Sequence, residues 1–500
     1  MNRSKKVFKN IVWELGYYLA VIAFGFLAPR FIILVYGSEI NGLSSTITQI
    51  INIILLLQSG ATTAAVFSLY KPIAEKNMEE INSIVGSTTR YFQRLSCTFF
   101  ILMLLTAIIT SRVIQSSINR NLIFSAFFIM GLKSFLDLLI TSKYRVVFTA
   151  FEQKFYISIG TLVEQIVYYL LVFGTIYLKL HFLWMHFWFL FGCIIKVVYL
   201  TVVYKKEHPE IKITRENSRR KITGMDYAMA NEVSHSIVAS SITIILSFMY
   251  GLEETSVYSV YALVCTALSL VTTAIYSAFA PSFGNIVAQK DIEKTKKTFQ
   301  IFQFIFIALN EVLLMCMLYL LVPFVKIYTH GATDFNYINT TLSYLLALFG
   351  MFSALRVPYN IVVSTFGFFK QTWIQPVISA LFSILLSYIM GQYDYSLIMV
   401  GPIAFYIINY LYQHFKLSKL VPYLISAESF ALCLSSLFGL TIALIASIYI
   451  RVPEGIFSWL YFSVISFTCA CVYVLFSSFL FTNKLLRESV DYVFTMLSRR

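Results

Sequence analysis

Residues 29–72 read PRFIILVYGSEINGLSSTITQIINIILLLQSGATTAAVFSLYKP. Arg30 stands inside an apolar run, the chain turns at Tyr36-Gly37-Ser38-Glu39, and residues 40–70 carry no charged side chain before Lys71 and Pro72. About 20 apolar residues in a helix are enough to cross the hydrocarbon of a bilayer, so this pattern predicts two spans joined by a tight turn. An unpaired guanidinium costs several kcal/mol in hydrocarbon. Arg30 is therefore expected to face protein or trapped water rather than lipid.

The rest of the chain extends that reading. Of its 500 residues, 58% are apolar, 17% aromatic and 12% charged, whereas a soluble domain has about a quarter charged. The fold class is an all-α polytopic membrane protein. Fourteen apolar runs are long enough to cross, at about 11–35, 41–70, 91–113, 121–142, 156–178, 183–204, 226–250, 256–288, 300–322, 338–368, 376–391, 395–413, 425–450 and 456–481. The amino-terminal MNRSKKVFKN and the apolar run from Ile11 imitate a signal peptide. That run is longer than an h-region and merges with the Pro29-Arg30 stretch, so it reads as an uncleaved first helix.

The net charge of +14 does not point to nucleic acid, because the basic residues sit in short loops between apolar runs. With the amino terminus placed inside, 29 of the 38 Lys and Arg fall in inner segments, five in outer loops and four within spans. Both termini are therefore expected on the cytoplasmic side. The outer loops are short, the longest at about residues 323–337, and leave no room for an external catalytic domain. The seven cysteines lie in apolar segments without metal-ligand spacing and read as small core residues. No metal site and no cofactor is expected.

Shifting the chain by 214 residues aligns YGSE at Tyr36 with YGLE at Tyr250, and IAEKNMEE at Ile73 with VAQKDIEK at Val287, with 10 identities over the 47 positions 36–82. Both matches fall at equivalent points of the topology, an outer turn and the inner end of the next helix. The division that follows is a six-helix lobe over 1–204, a basic cytoplasmic linker over 205–225, a second six-helix lobe over 226–424, two extra spans over 425–481 and an amphipathic cytoplasmic tail over 482–500.

The run PRFIILVYGSEINGLSSTITQ, followed by LLQSGATTAAVFSLYKPIAEKNMEEIN, resembles the start of the bacterial polysaccharide flippases of the multidrug/oligosaccharidyl-lipid/polysaccharide exporter (MOP) superfamily. The resemblance covers about 60 residues closely and the remainder through helix number and two-lobe organisation. It implies two six-helix lobes, alternating access, and an undecaprenyl-pyrophosphate-linked oligosaccharide as substrate, for capsule, O-antigen or a related surface polysaccharide. The implied setting is the bacterial cytoplasmic membrane, and the implied partners are membrane lipids and a polysaccharide polymerase or other assembly proteins. Drug exporters share the superfamily, so fold alone does not fix the substrate.

Charges within the spans are the candidate site. Arg30 follows Pro29 and Arg356 stands two residues before Pro358, where a helix can kink and free carbonyls toward a cavity. A diphosphate calls for cations that stay charged, and a guanidinium meets its oxygens with two hydrogen bonds. Arg30 and Arg356, with Lys133 as a third member, are accordingly expected to line the cavity and bind pyrophosphate. The bland alternative is a salt bridge, such as Arg30 with Glu14. Lys133 and Asp137 lie four apart on one helix face and read equally as an internal ion pair. Lys196, two turns from the inner end of its helix, reads as a snorkelling lysine. Glu164 is open between these roles, and Glu311 is either protonated or paired with a neighbouring helix.

Coupling to Na⁺ or H⁺ would need carboxylates near the openings of the first and seventh spans. Glu14, Asp226 and Glu232 stand there, with Asn231-Glu232 offering two oxygen ligands and Asp137 a further candidate. Tyr and Phe, 33 and 46 of them, are accounted for mostly by interfacial belts and packing.

Two other functions compete. A cation-coupled drug or small-molecule exporter would want an acidic rather than a cationic cavity. A membrane-embedded glycan polymerase or transferase would need a general base, yet no His stands at a catalytic spacing from a carboxylate, and there is no phosphate-binding Gly-rich loop. No catalytic residue is expected.

Overall fold

The structure, a computed structural model, describes residues 3–58, 60–211, 226–425, 427–449, 455–481 and 485–489. Helix accounts for nearly all of them, and no strand occurs among the described residues. A chain in lipid must satisfy its own backbone groups, and a helix does so within each segment. Fourteen helical segments among the described residues are long and apolar enough to cross a membrane, the number read from sequence.

Two compact units make up the chain, Met1–Ser256 and Val257–Arg500. In the first run α1 (Arg3–Tyr36), α2 (Ser38–Leu55), α3 (Ala61–Ala74), α4 (Met78–Val113), α5 (Arg120–Leu136), α6 (Ser142–Ala150), α7 (Phe155–Tyr177), α8 (Leu183–Glu207) and α9 (Asp226–Met249). α7 packs along α8 and α1, α4 along α5, α5 along α8, and α2 along α9. The second unit takes in most of α10 (Leu252–Ala288), then α11 (Ile292–Tyr328), α12 (Thr340–Phe366), α13 (Phe369–Thr372), α14 (Ile374–Met390), α15 (Val400–Leu420), α16 (Ala427–Tyr449) and α17 (Ile456–Phe481). There α11 is the central helix, packed by α12, α16 and α17, while α15 joins α12 to α14.

The internal repeat is written into helix ends. Gly37 and Gly251, 214 residues apart, both have positive φ, 88° and 118°, and each turns the chain into the following helix. Residues with a Cβ rarely adopt that backbone, which is why both Tyr-Gly-x-Glu turns carry glycine. In the same register Lys76 and Lys290 are left-handed, with φ of 54° and 60°. Each precedes a capping residue: Asn77 accepts from the Glu80 amide at 3.1 Å, and Asp291 from the Lys294 amide at 3.0 Å. These caps satisfy amides that the first turns of α4 and α11 leave unpaired.

The third and ninth spans run longer than the sequence reading, α4 from Met78 and α11 from Ile292 to Tyr328, and two others differ within. The second span is broken by a short 3₁₀ turn at Leu56–Gln58 rather than continuous. The fourth passes through a π-helical turn at Asp137–Thr141 and stays helical to Ala150, so Arg145, counted with an inner loop, belongs to the span. Most of the linker and of the amphipathic tail, residues 212–225, 482–484 and 490–500, lies outside the described residues.

Candidate functional site

In the first unit, charged side chains from five consecutive stretches converge within the membrane-crossing helices. Lys133 comes from α5, Asp137 from the π-helical turn, Arg145 from α6, Glu164 from α7 and Lys196 from α8. Lys196 Nζ lies 2.7 Å from Glu164 Oε2 and 2.6 Å from Asp137 Oδ1. Lys133 Nζ reaches Glu164 Oε1 at 3.3 Å, and an Arg145 nitrogen reaches Asp137 Oδ2 at 3.2 Å. The order along the network is thus Lys133, Glu164, Lys196, Asp137, Arg145. Glu164 and Lys196 are only 1% and 5% exposed, so the innermost pair is sealed in protein.

Local structure explains the convergence. α7 and α8 are antiparallel neighbours, and Gly192 lets them close: a Cβ there would sit 3.0 Å from the Glu164 carbonyl oxygen. The Cys193 thiol, next in sequence, donates to the Lys133 carbonyl at 3.7 Å and ties α8 to α5. Asp137 and Arg145 are eight residues apart, which is about 80° around an ideal helix. The π-helical turn absorbs about one extra residue and brings the two nearly onto one face. Thr141 Oγ1 donates within that turn to the Asp137 carbonyl at 2.5 Å and to its carboxylate at 2.9 Å. The ammonium of Lys133 also lies 4.4 Å from the Phe189 ring centre, a cation–π contact.

Lys133 and Asp137 therefore belong to one network but are not each other's direct partner. Each has found an opposite charge on another helix. Lys196 does not snorkel: two carboxylates hold it inside the protein, which offsets the desolvation a snorkelling side chain would avoid. Glu14 pairs with Lys154 at 2.6 Å and accepts from Tyr18 at 3.4 Å, linking α1 to the start of α7. Arg30 is half-buried on α1, which runs through Pro29 without a break and packs on α7 through Phe24 against Tyr169 and Phe31 against Phe173. Of the Asn231-Glu232 pair on α9, Asn231 is buried and Glu232 exposed. With one sealed in protein and the other turned out of it, these two do not converge on one ion.

In the second unit, Arg356 lies over the ring of Tyr406 on α15, its guanidinium carbon 5.7 Å from the ring centre. α12 continues through Pro358. One turn on, Tyr359 shares a hydrogen bond with His414 at 3.1 Å. Glu311 is 5% exposed and accepts from Ser436 of α16 at 3.1 Å.

Sequence reasoning left Glu164 open and read Lys196 as peripheral, although a signal was present. Glu164 lies thirteen residues before the end of α7, and Lys196 thirteen after the start of α8. In an antiparallel hairpin, equal distances from the turn mean equal depth.

The fold recurs among solved membrane transporters. A structure of the lipid II flippase MurJ in an inward closed conformation matches with a TM-score of 0.65 and 16% identity, over 95% of this chain and 100% of that one. An inward-facing multidrug-resistance MATE family transporter of the MOP superfamily matches with a TM-score of 0.67 and 12% identity, over 80% and 95%. A MOP superfamily transporter from Pyrococcus furiosus, described as having a binding pocket of reversed polarity, matches with a TM-score of 0.56 and 13% identity, over 84% and 97%. This chain shares its fold with these three transporters. No protein-family model and no curated protein matches the sequence.

Proposed function

We propose that this chain is a flippase that carries undecaprenyl-pyrophosphate-linked oligosaccharide repeat units from the inner to the outer leaflet of a bacterial cytoplasmic membrane by alternating access, with both termini cytoplasmic. The observation that carries the reading is the charge balance of the network, whose inner pair is buried and whose outer cations, Lys133 and Arg145, are partly exposed. Lys133, Arg145 and Lys196 outnumber Asp137 and Glu164, three cations to two carboxylates. Both carboxylates are engaged by cations. An exporter of cationic drugs needs a carboxylate to receive its cargo, whereas a site for a diphosphate needs surplus positive charge.

Arg30 and Lys133 in the first unit and Arg356 in the second are the residues proposed to meet the pyrophosphate. Glu14, Asn231, Glu232 and Asp137 stand as candidates for Na⁺ or H⁺ coupling; of these, Asp137 is bound to Lys196 and Arg145 and Glu14 to Lys154, while Asn231 is buried and Glu232 exposed, so either would act singly rather than as a pair. Flipping breaks no covalent bond, so the reading calls for no catalytic residue.

The test is which leaflet holds the lipid-linked glycan in cells depleted of the protein, read with an impermeant lectin or glycosidase added outside. Accumulation of a cytoplasm-facing intermediate, reversed by wild type and not by Arg30→Ala at equal protein level, is the expected result. An intermediate that reaches the outer leaflet and stays unpolymerised would favour an enzyme. Unchanged glycan with altered drug tolerance would favour the exporter reading, to which the MATE likeness of fold gives weight.

A further inference from the structure

Between Lys297 and Lys326, α11 carries one charged residue, Glu311. It stands at the middle of that stretch, about 20 Å of helix from either lysine, and so near the centre of the hydrocarbon. Its side chain does not point to lipid, being 5% exposed. One carboxylate oxygen, Oε2, accepts from Ser436 of α16 at 3.1 Å. The other, Oε1, is buried and has no hydrogen-bond partner among the described residues.

Among the described residues no cation pairs with this carboxylate. On α12 the guanidinium of Arg356 is placed over Tyr406. On α16 the nearest titratable group is Cys433, and on α17 it is Tyr473, whose hydroxyl donates to the Ser435 carbonyl at 3.4 Å. On α11 itself the nearest are Cys316 and Tyr319, and no ion pair among the described residues reaches Glu311. An ionised carboxylate without a counter-charge is too costly to hold at this depth.

Space is kept beside Oε1. A Cβ on Gly439 of α16 would fall 2.5 Å from it and equally close to the Tyr473 ring, so any larger residue would fill the gap. Glu311, Asn310, Ser436 and Leu314 border a cavity of about 10 Å³, room for no more than about one water-sized guest. Asn310 donates its amide to the Phe306 carbonyl at 2.7 Å, which leaves its own oxygen as an acceptor. A larger cavity of about 70 Å³ between α10, α11 and α12, with Ser269, Thr272 and Ser353 on its walls, shares Asn310 and Leu314 with the first and gives a polar approach to it.

We propose that Glu311, with Ser436 and Asn310, is a binding site for one small positive charge, a proton or a bare monovalent cation such as Na⁺, taken up through the cavity between α10, α11 and α12. Occupancy neutralises the carboxylate and so secures α16 against α11. The inference is independent of what the protein transports.

The test uses the purified full-length protein in detergent. A hydrophobic carbodiimide is applied at acidic and alkaline pH, in sodium chloride or choline chloride, and adducts are located by peptide mass spectrometry. Melting of wild type and Glu311→Gln is followed under the same conditions. A ligand that binds only the folded state raises its melting temperature, so wild type should respond to the bound ion and the variant should not. An adduct on Glu311 from which sodium protects assigns Na⁺; an adduct insensitive to sodium that falls as pH rises assigns the proton. Absence of an adduct, with wild type and Glu311→Gln melting in parallel at every pH and sodium concentration, would overturn the proposal.

Discussion

Glu164 and Lys196 meet at 2.7 Å at equal depth on the antiparallel helices α7 and α8, with 1% and 5% of their surfaces exposed. Among the described residues Lys196 is also the one cation that pairs with both Glu164 and Asp137, so removing its charge leaves both carboxylates undercompensated in protein rather than in water. Lys196→Met should therefore destabilise the fold by about 3–5 kcal/mol. The double variant Glu164→Gln/Lys196→Met keeps the net charge and should recover much of that loss. Melting of the two singles and the double in a thermodynamic cycle gives the coupling directly; additive losses would mean the pair does not interact.

The equivalence of the two repeats can be tested at their helix caps. Asn77 and Asp291 cap α4 and α11 with nearly identical geometry, 3.1 and 3.0 Å. Replacing either with Ala should cost about 1 kcal/mol, and hydrogen exchange should quicken in the first turn of the helix concerned while the other stays protected. Unequal losses would show that one cap is held by something beyond the shared turn.

Much of this molecule could be read from its residues, and the unread part has a physical cause. Span positions follow from apolar length, and the repeat from Tyr36-Gly37 and Tyr250-Gly251, because backbone constraints of that kind are local. Which helix a buried charge faces is not local. Lys196 resembled a snorkelling residue because periodicity reports depth and face but not the neighbour. Arg145 was placed in a loop because the π-helical turn at Asp137–Thr141, which carries it back toward Asp137, leaves no pattern in hydropathy. Glu311 stood out in sequence, yet its partner Ser436 lies 125 residues away.

Gly42 makes a sharper packing prediction. A Cβ on it would fall 1.9 Å from the Leu252 carbonyl oxygen, an approach that backbone cannot relieve by a rotamer change. The neighbouring contact is a buried hydrogen bond, Asn41 to Ser256 at 2.8 Å. Gly42→Ala should push α2 away from the start of α10 and cost about 1–3 kcal/mol. With cysteines at positions 41 and 256, disulfide formation should be efficient in the parent and depressed in the alanine variant. Equal yields would mean that the two backbones do not approach so closely.

Lys133 is the most loosely held cation among those that touch Glu164. Its ammonium stands 3.3 Å from Glu164, against 2.7 Å for Lys196, and its side chain is 16% exposed against 6%. It can exchange Glu164 for a phosphate oxygen while Lys196 still neutralises that carboxylate. If Lys133 meets the pyrophosphate, Lys133→Met should slow outer-leaflet appearance of the lipid-linked glycan about tenfold, equivalent to ~1.4 kcal/mol of lost interaction, and should lower stability less than Lys196→Met. Lys133→Arg should retain most of the transport, because charge rather than shape is what a phosphate first requires. The rate is measured in vesicles with an impermeant lectin, and stability by melting of the same proteins. Unchanged transport in Lys133→Met, with a melting loss as large as that of Lys196→Met, would make Lys133 a structural partner of Glu164 and leave Arg30 and Arg356 to account for pyrophosphate recognition.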